Sequence, residues 1–238
     1  MHLLNHPFKT PAENLACDEA LLEMSESGAD CEVLRLWQPK QPFVVLGISN
    51  SAAAEVNLPA CRKNQIPVLR RFTGGGTVLQ TPGCLNFSLI LHIVPGPLAT
   101  ITGTTRWVLE RHKPLFETLT GSAVAIEGTS DLTIAQRKFS GHAQRRKRRF
   151  VLFHGSILLK ADLSLIEKVL LLPAKQPAYR QNRRHSRFLT NLNLPAGAVS
   201  AALQQAWGAT EVLGQLPTSQ IKHLLRARYT TDTWNYRL

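Results

Sequence analysis

Ten consecutive residues, Arg70-Arg71-Phe72-Thr73-Gly74-Gly75-Gly76-Thr77-Val78-Leu79, set two arginines directly before three glycines at the end of an apolar run, Ile66-Pro67-Val68-Leu69. Without Cβ atoms, the backbone N–H groups of such a loop can close on an anion. Arginine adds a permanent positive charge and a planar fork of donors suited to phosphate. The chemistry on offer is the holding of a phosphate or an acyl-phosphate ester. Taken alone, a glycine triplet more often makes a tight turn, and no Gly-Lys-Ser/Thr follows it, so it is not a Walker-type loop. A second stretch, Arg137-Lys138-Phe139-Ser140-Gly141-His142-Ala143-Gln144-Arg145-Arg146, places a lysine among strand-like residues just before a bend at Ser140-Gly141. An ammonium so placed can reach into a cleft as a compact, mobile charge. A third stretch, Phe153-His154-Gly155-Ser156-Ile157-Leu158-Leu159, carries a histidine beside a strand, where a structural hydrogen bond is the commoner role. Asp131, the nearest carboxylate upstream, is open to three readings: orienting Lys138, contributing to a magnesium site, or capping a turn.

The elements that must position these residues read as a mixed set. Pro11 to Met24 keeps a helical period, with Thr10 or Asn14 as cap. Residues 32–37 and 42–47 read as two strands joined by a turn around Gln38-Pro39-Lys40. A short helix over 55–64 leads to a strand over 67–71, and 77–79 and 85–91 continue the sheet. A long amphipathic helix is expected over 105–119. Residues 129–140 and 150–160 read as a further hairpin pair, with Gln144 to Arg149 as its exposed connection. Helices over 164–172, 201–207 and 219–228 complete the chain. Short connections imply largely antiparallel pairing, so the expected fold is α+β: one domain over 1–238, a mixed, largely antiparallel sheet flanked by helices.

Composition narrows the partners. The chain of 238 residues carries 28 Lys and Arg against 16 Asp and Glu, a net charge of +12, which predicts an anionic or acidic partner. Seven of the basic residues fall between Arg137 and Arg149 with no acidic one among them, and Arg180, Arg183, Arg184 and Arg187 form a second cluster. The four cysteines, Cys17, Cys31, Cys61 and Cys84, are widely spaced, against a zinc site or disulfide framework and in keeping with reduced thiols. The first residues show no signal-peptide pattern and no run suits a membrane span, so a cytoplasmic setting is expected.

The order Arg-Arg-x-Thr-Gly-Gly-Gly-x-Val, Gly-x-Leu-Asn-Phe-Ser, Asp-Leu, Lys-x-Ser-Gly-x-Ala-Gln-Arg and His-Gly-x-x-Leu-Leu over residues 70–160 resembles the lipoate–protein ligase family, within the wider biotin/lipoate ligase and octanoyltransferase superfamily. Asn14 to Glu19 is similar to that family's first helix. The resemblance implies an enzyme that activates lipoate or octanoate with ATP and Mg2+ and passes the acyl group to a carrier-protein lysine. It implies nucleotide and acyl-adenylate contacts from Arg71, Gly74, Gly75, Gly76, Thr77, Val78, Leu79 and Lys138, and a catalytic role for Lys138. An acyl pocket is expected from Leu85, Asn86, Phe87, Gly141, His154 and Gly155, and a magnesium contact from Asp131.

The partners implied are acidic lipoyl carrier domains, of 2-oxoacid dehydrogenase subunits or the glycine-cleavage carrier protein, which the Arg145 to Arg149 run would steer. Octanoyltransferases resembling this group use a cysteine shortly before the lysine motif or just before the His-Gly motif, and neither place holds one here. A thioester mechanism would therefore fall to Cys84, so ligation is the expectation and octanoyl transfer the alternative. Two departures stand out. Gln80-Thr81 replaces a family His-Asp pair, and the stretch to Leu238 leaves no room for the accessory domain of many ligases, which implies a chain working alone, with a separate subunit, or from a preformed acyl-adenylate. Nucleic-acid binding, suggested by charge alone, lacks interleaved aromatics or a helix-turn-helix signature.

Overall fold

The first helix begins where its sequence supplies a cap. Thr10 Oγ1 accepts from the Glu13 amide at 3.2 Å, and the Glu13 carboxylate accepts from the Thr10 amide at 2.8 Å, with Pro11 in the first turn. Thr10 is therefore the cap, while Asn14 is buried and accepts from Arg35. The computed structural model describes every residue except Pro7.

Among the described residues, eleven strands follow in chain order: β1 (His2–Leu4), β2 (Val33–Trp37), β3 (Phe43–Leu46), β4 (Val68–Arg70), β5 (Val78–Gln80), β6 (Cys84–His92), β7 (Ala125–Glu127), β8 (Asp131–Ile134), β9 (Arg137–Arg146), β10 (Phe150–Leu158) and β11 (Glu211–Val212). The helices are α1 (Pro11–Met24), α2 (Ala52–Glu55), α3 (Leu58–Lys63), α4 (Ile101–Thr120), α5 (Leu163–Val169), α6 (His185–Phe188), α7 (Ala196–Ala206), α8 (Thr218–Leu224) and α9 (Asp232–Asn235). Eight strands form one sheet in the order β11-β1-β2-β6-β10-β9-β8-β7, and β4-β3-β5 form a second. Pairing is antiparallel except where β1 meets β2 and β11, and where β3 meets β4. The fold is α+β, with a large, mostly antiparallel sheet flanked by helices, as expected.

β2 and β3 form where the sequence places them but do not pair with each other. The turn after Trp37 carries the chain into the second layer, where Phe43 stacks on Trp37 with ring centroids 6.4 Å apart. The expected hairpin pair over 129–160 is three strands, because a tight turn at Ala135-Gln136 splits β8 from β9. β9 runs on to Arg146, which shortens the basic connection to Lys147–Arg149. Arginines at the end of β9 and in the connection fold back onto the protein: Arg146 donates to Leu98 O at 2.7 Å, and Arg149 donates to Glu26 O at 2.9 Å.

Strand alternation gives the large sheet two different faces. Leu85, Phe87, Leu89 and Leu91 of β6, with Val151, Phe153 and Ile157 of β10, belong to the core that α4 and α7 cover. The opposite face carries a polar patch, Asn86 and Ser88 on β6 beside Ser156 and His154 on β10. α1 and α8 cover one end of that face and the second sheet the other. Polar residues on an inward face need partners or a ligand. Among the described residues, no helix is long and apolar enough to cross a membrane.

Candidate active site

Between the polar face and the second sheet lies a cavity of about 510 Å³. The glycine loop forms its roof, joining β4 to β5. Gly75 has φ +87°, and its carbonyl lies so close over Gly47 that a Cβ there would collide with it. The Arg71 guanidinium donates to Gly74 O at 2.6 Å and Gly76 O at 2.8 Å, and its Nε to Thr73 Oγ1 at 3.0 Å. These bonds gather the loop carbonyls behind the arginine. Among the described residues, the N–H groups of Gly74, Gly75, Gly76 and Thr77 have no protein acceptor. Unpaired backbone amides in a glycine loop are the groups with which such loops can bind anions. Burial lowers the pKa of Arg71 to about 10, against a smaller opposing effect of Glu55, which still leaves it charged at neutral pH.

Arg71 thus lines the cavity mainly as the loop's internal clamp. Arg70 points away from the site. It is wholly buried and donates to the carbonyls of Gly47, Ile48, Asn50, Trp234 and Asn235.

The floor is built from the polar face. Gln80 Nε2 donates to Ser156 Oγ at 2.5 Å, and Ser156 donates to Asn86 Oδ1 at 2.6 Å. His154 Nε2 lies 2.8 Å from Thr73 Oγ1, which links floor to roof. Burial, followed by the charge of Arg71 and then His142, lowers the His154 pKa to about 3, so the ring is neutral at pH 7. Asp18 of α1 accepts from Arg35 at 2.6 Å and from Ser88 at 2.9 Å, which closes that end with a buried ion pair.

Lys138 reaches the cavity by an irregularity in the sheet. The pairing of β8 with β9 slips between Leu132 and Thr133, so Thr133 faces Lys138 rather than Phe139. Such a bulge re-aims a side chain. Phe139 drops into the α4 core, while Lys138 Nζ passes over Gly141 to Asp131 Oδ1, 2.6 Å away. A Cβ on Gly141 would stand 2.5 Å from that Nζ. Of the readings left open for Asp131, orienting Lys138 is the one seen here, and its second oxygen accepts from the Tyr179 hydroxyl at 2.7 Å. No group of three metal-ligating side chains occurs among the described residues. Both Asp131 oxygens thus meet protein donors.

Gly75, Gly76, Thr77, Val78, Leu79, Asn86, Phe87, Gly141, His154 and Gly155 all line the cavity with Arg71, Asp131 and Lys138. Gly74 lies outside its wall, and Leu85 packs in the α4 core, on the face of β6 opposite Asn86 and Ser88. The sequence reading missed Leu15, Trp37 and Val45 at one end, and Ile166, Leu170, Phe188 and Leu189 at the other. None of the four cysteines lines the cavity. Cys84 is wholly buried, its Sγ 3.7 Å from Thr81 Oγ1, and burial raises its pKa.

A cavity between two sheets, roofed by a glycine loop and crossed by a lysine laid over a strand glycine, marks an α+β domain with one built site. Residues 10–204 match the lipoyl protein ligase A/B catalytic domain, and the chain belongs to that family. It is 33% identical over 170 residues to a probable lipoate-protein ligase A of Mycoplasma pneumoniae, covering 71% of this chain and 48% of that protein. The chain thus spans about half the length of that relative. It is 28% identical to the octanoyltransferase LipM of Symbiobacterium thermophilum, over 99% of this chain and 97% of that protein. In fold it resembles a bipartite lipoate protein ligase of Thermoplasma acidophilum, studied with its E2 lipoyl domain, at TM-score 0.84 and 24% identity, covering 99% of this chain and 95% of that one. The protein is therefore an enzyme of the lipoate ligase and octanoyltransferase family, and the nucleic-acid reading has no support.

Proposed function

We propose that the chain activates lipoate or octanoate with ATP and transfers the acyl group to a lysine of an acidic lipoyl carrier domain, as a lipoate–protein ligase. The observation that carries this reading is the cavity wall. It offers free loop amides, the buried charge of Arg71 and the Lys138 ammonium, while every cysteine lies elsewhere.

In this reading the acyl chain runs from Lys138 over Ser156 and Asn86 to the apolar end at Leu15, Trp37, Val45 and Val78. The nucleotide takes the end lined by Leu79, Ile166, Leu170 and Leu189. A carboxylate oxygen of the acid attacks the α-phosphorus and pyrophosphate leaves, while the loop amides and Lys138 meet the charge that builds on the phosphoryl oxygens. The acceptor lysine, as free amine, then attacks the acyl carbon. The carbonyl–oxygen bond to AMP breaks, and Lys138 donates a hydrogen bond to the departing or carbonyl oxygen. Magnesium, when present, enters with the nucleotide phosphates.

Octanoyl transfer is the second reading, favoured by the match to a LipM along nearly its whole length. It requires either a thiol that reaches the cavity or direct transfer from the donor. The deciding experiment is mass spectrometry of an acidic lipoyl domain incubated with the chain. Four donors are compared: lipoate plus ATP, octanoate plus ATP, synthetic lipoyl-AMP, and octanoyl-carrier protein without ATP. Labelling with ATP supports ligation by the chain alone. Labelling only from lipoyl-AMP assigns adenylation to a separate subunit, and labelling only from the carrier overturns the ligase reading.

A further inference from the structure

We infer that Tyr179 is a positioning residue for Lys138, acting through Asp131. The inference rests on the reading above, in which Lys138 serves the acyl group. Asp131 holds Lys138 Nζ with one carboxylate oxygen at 2.6 Å and accepts from the Tyr179 hydroxyl with the other at 2.7 Å. A carboxylate pinned at one oxygen can still turn about its terminal torsion, whose minima are broad, whereas one pinned at both cannot. The lysine therefore inherits its direction from the tyrosine. Burial, with Asp131 beside it, raises the pKa of the phenol, so the hydroxyl keeps its proton to donate.

Tyr179 is itself held in place. Arg183 donates to Tyr179 O at 2.7 Å and to Gln136 O at 3.1 Å, and the Tyr179 ring packs 5.2 Å from Phe188 of α6. On its other side lies Gly128, where a Cβ would stand 3.4 Å from the ring edge. The chain following α6 then grips the lysine's own backbone. Thr190 N donates to Lys138 O at 2.9 Å, and the Arg137 guanidinium donates to Leu189 O at 2.5 Å. Residues 179–190 thus hold Lys138 by both its main chain and its side chain, from a segment outside the sheet that carries it.

Tyr179→Phe removes one oxygen and keeps the ring, so it tests position apart from packing. In the wild type and the variant, acyl-adenylate formation is measured from lipoate and ATP. In parallel, the reactivity of Lys138 toward trace acetic anhydride is read by peptide mass spectrometry. The expected result is a kcat lower by about 10- to 100-fold, the scale of an ångström misplacement, with KM for both substrates little changed and Lys138 labelled several-fold faster. Adding Tyr179→Phe to Asp131→Asn should cost nothing further, since the tyrosine works through the carboxylate. Unchanged kcat, unchanged labelling, or additive losses would each overturn the inference. If wild-type protein makes no acyl-adenylate, adenylation by the chain alone fails separately. Labelling then decides the lysine's seating alone: equal reactivity in the two proteins overturns it, and faster labelling of the variant supports it.

Discussion

An ammonium laid across a glycine answers to a single methyl group. Gly141→Ala would press its Cβ against Lys138 Nζ and Cε, at 2.5 and 2.6 Å. Those atoms are the far end of a flexible chain, so the lysine moves and the strand does not. The variant should melt close to wild type and lose about 10- to 100-fold in pyrophosphate release from ATP and lipoate. Lys138→Ala should remove about 100- to 1,000-fold, the loss typical of one preorganised donor. Its melting temperature should also fall, since the Lys138 side chain is only 26% exposed and its loss leaves the nearly buried Asp131 carboxylate without its counter-charge. Pyrophosphate release and a thermal melt check both variants, and normal turnover by Lys138→Ala would remove the lysine from the mechanism.

At the scale of elements, the glycines divide by what surrounds them. Gly83, just before β6, has φ +94° and would drive a Cβ into the main chain at Lys160. Neither backbone can yield cheaply, so Gly83→Ala should cost about 1–3 kcal/mol or more, read as a lowered urea midpoint. This glycine shapes the strand that floors the cavity without touching it. The glycine loop, the lysine motif and the His-Gly strand were legible because each is a short run whose chemistry is local. Trp37 and Leu15 were not, since their place depends on how α1 and β2 pack across the second sheet. The β8–β9 register slip was equally hidden, because nothing in the residues around Lys138 marks an unpaired Phe139. Arg180 to Arg187 were visible only as charge. That Tyr179 beside them reaches Asp131 depends on a fold-back of 48 residues. The residue types alone did not distinguish Arg70 from Arg71, and only the family resemblance singled out Arg71, yet Arg71 clamps the loop while Arg70 binds the second sheet to α9.

For the whole molecule, burial sets a limit on acid stability. Burial first, then nearby positive charge, lowers His112 to about 3 and His154 to about 3, and burial lowers His142 to about 4, from an ordinary 6.5. Below about pH 6.5 the unfolded chain takes up protons that the folded chain refuses, so stability falls as pH drops from there toward 4. Each ring contributes up to about 1.4 kcal/mol per pH unit across that window, partly offset by Asp18 and Glu19, whose carboxyls burial raises. The melting temperature should therefore drop between pH 7 and pH 5. His112→Gln, which keeps an acceptor for Trp207 Nε1, should flatten that slope. Charge acts over a longer range. Arg146 and Arg149 are engaged internally, whereas Arg184 and Arg187 stand exposed on the outer side of α6, whose inner side lines the cavity. Reversing Arg184 and Arg187 should lower kcat/KM for an acidic acceptor domain more than reversing Arg145 and Arg148, with the difference fading as salt is raised.

The bonds from Arg70 to α9 bear on how the site comes into being. The Arg70 amide donates to Asn235 Oδ1 and the Trp234 indole to Arg70 O, partners about 165 residues apart in the chain. During synthesis β4 leaves the ribosome long before those partners exist. The strand that carries the glycine loop therefore stays unbuttressed until translation has passed Asn235. A ribosome stalled short of that point should display the glycine loop on a strand that still lacks its supports from Trp234 and Asn235.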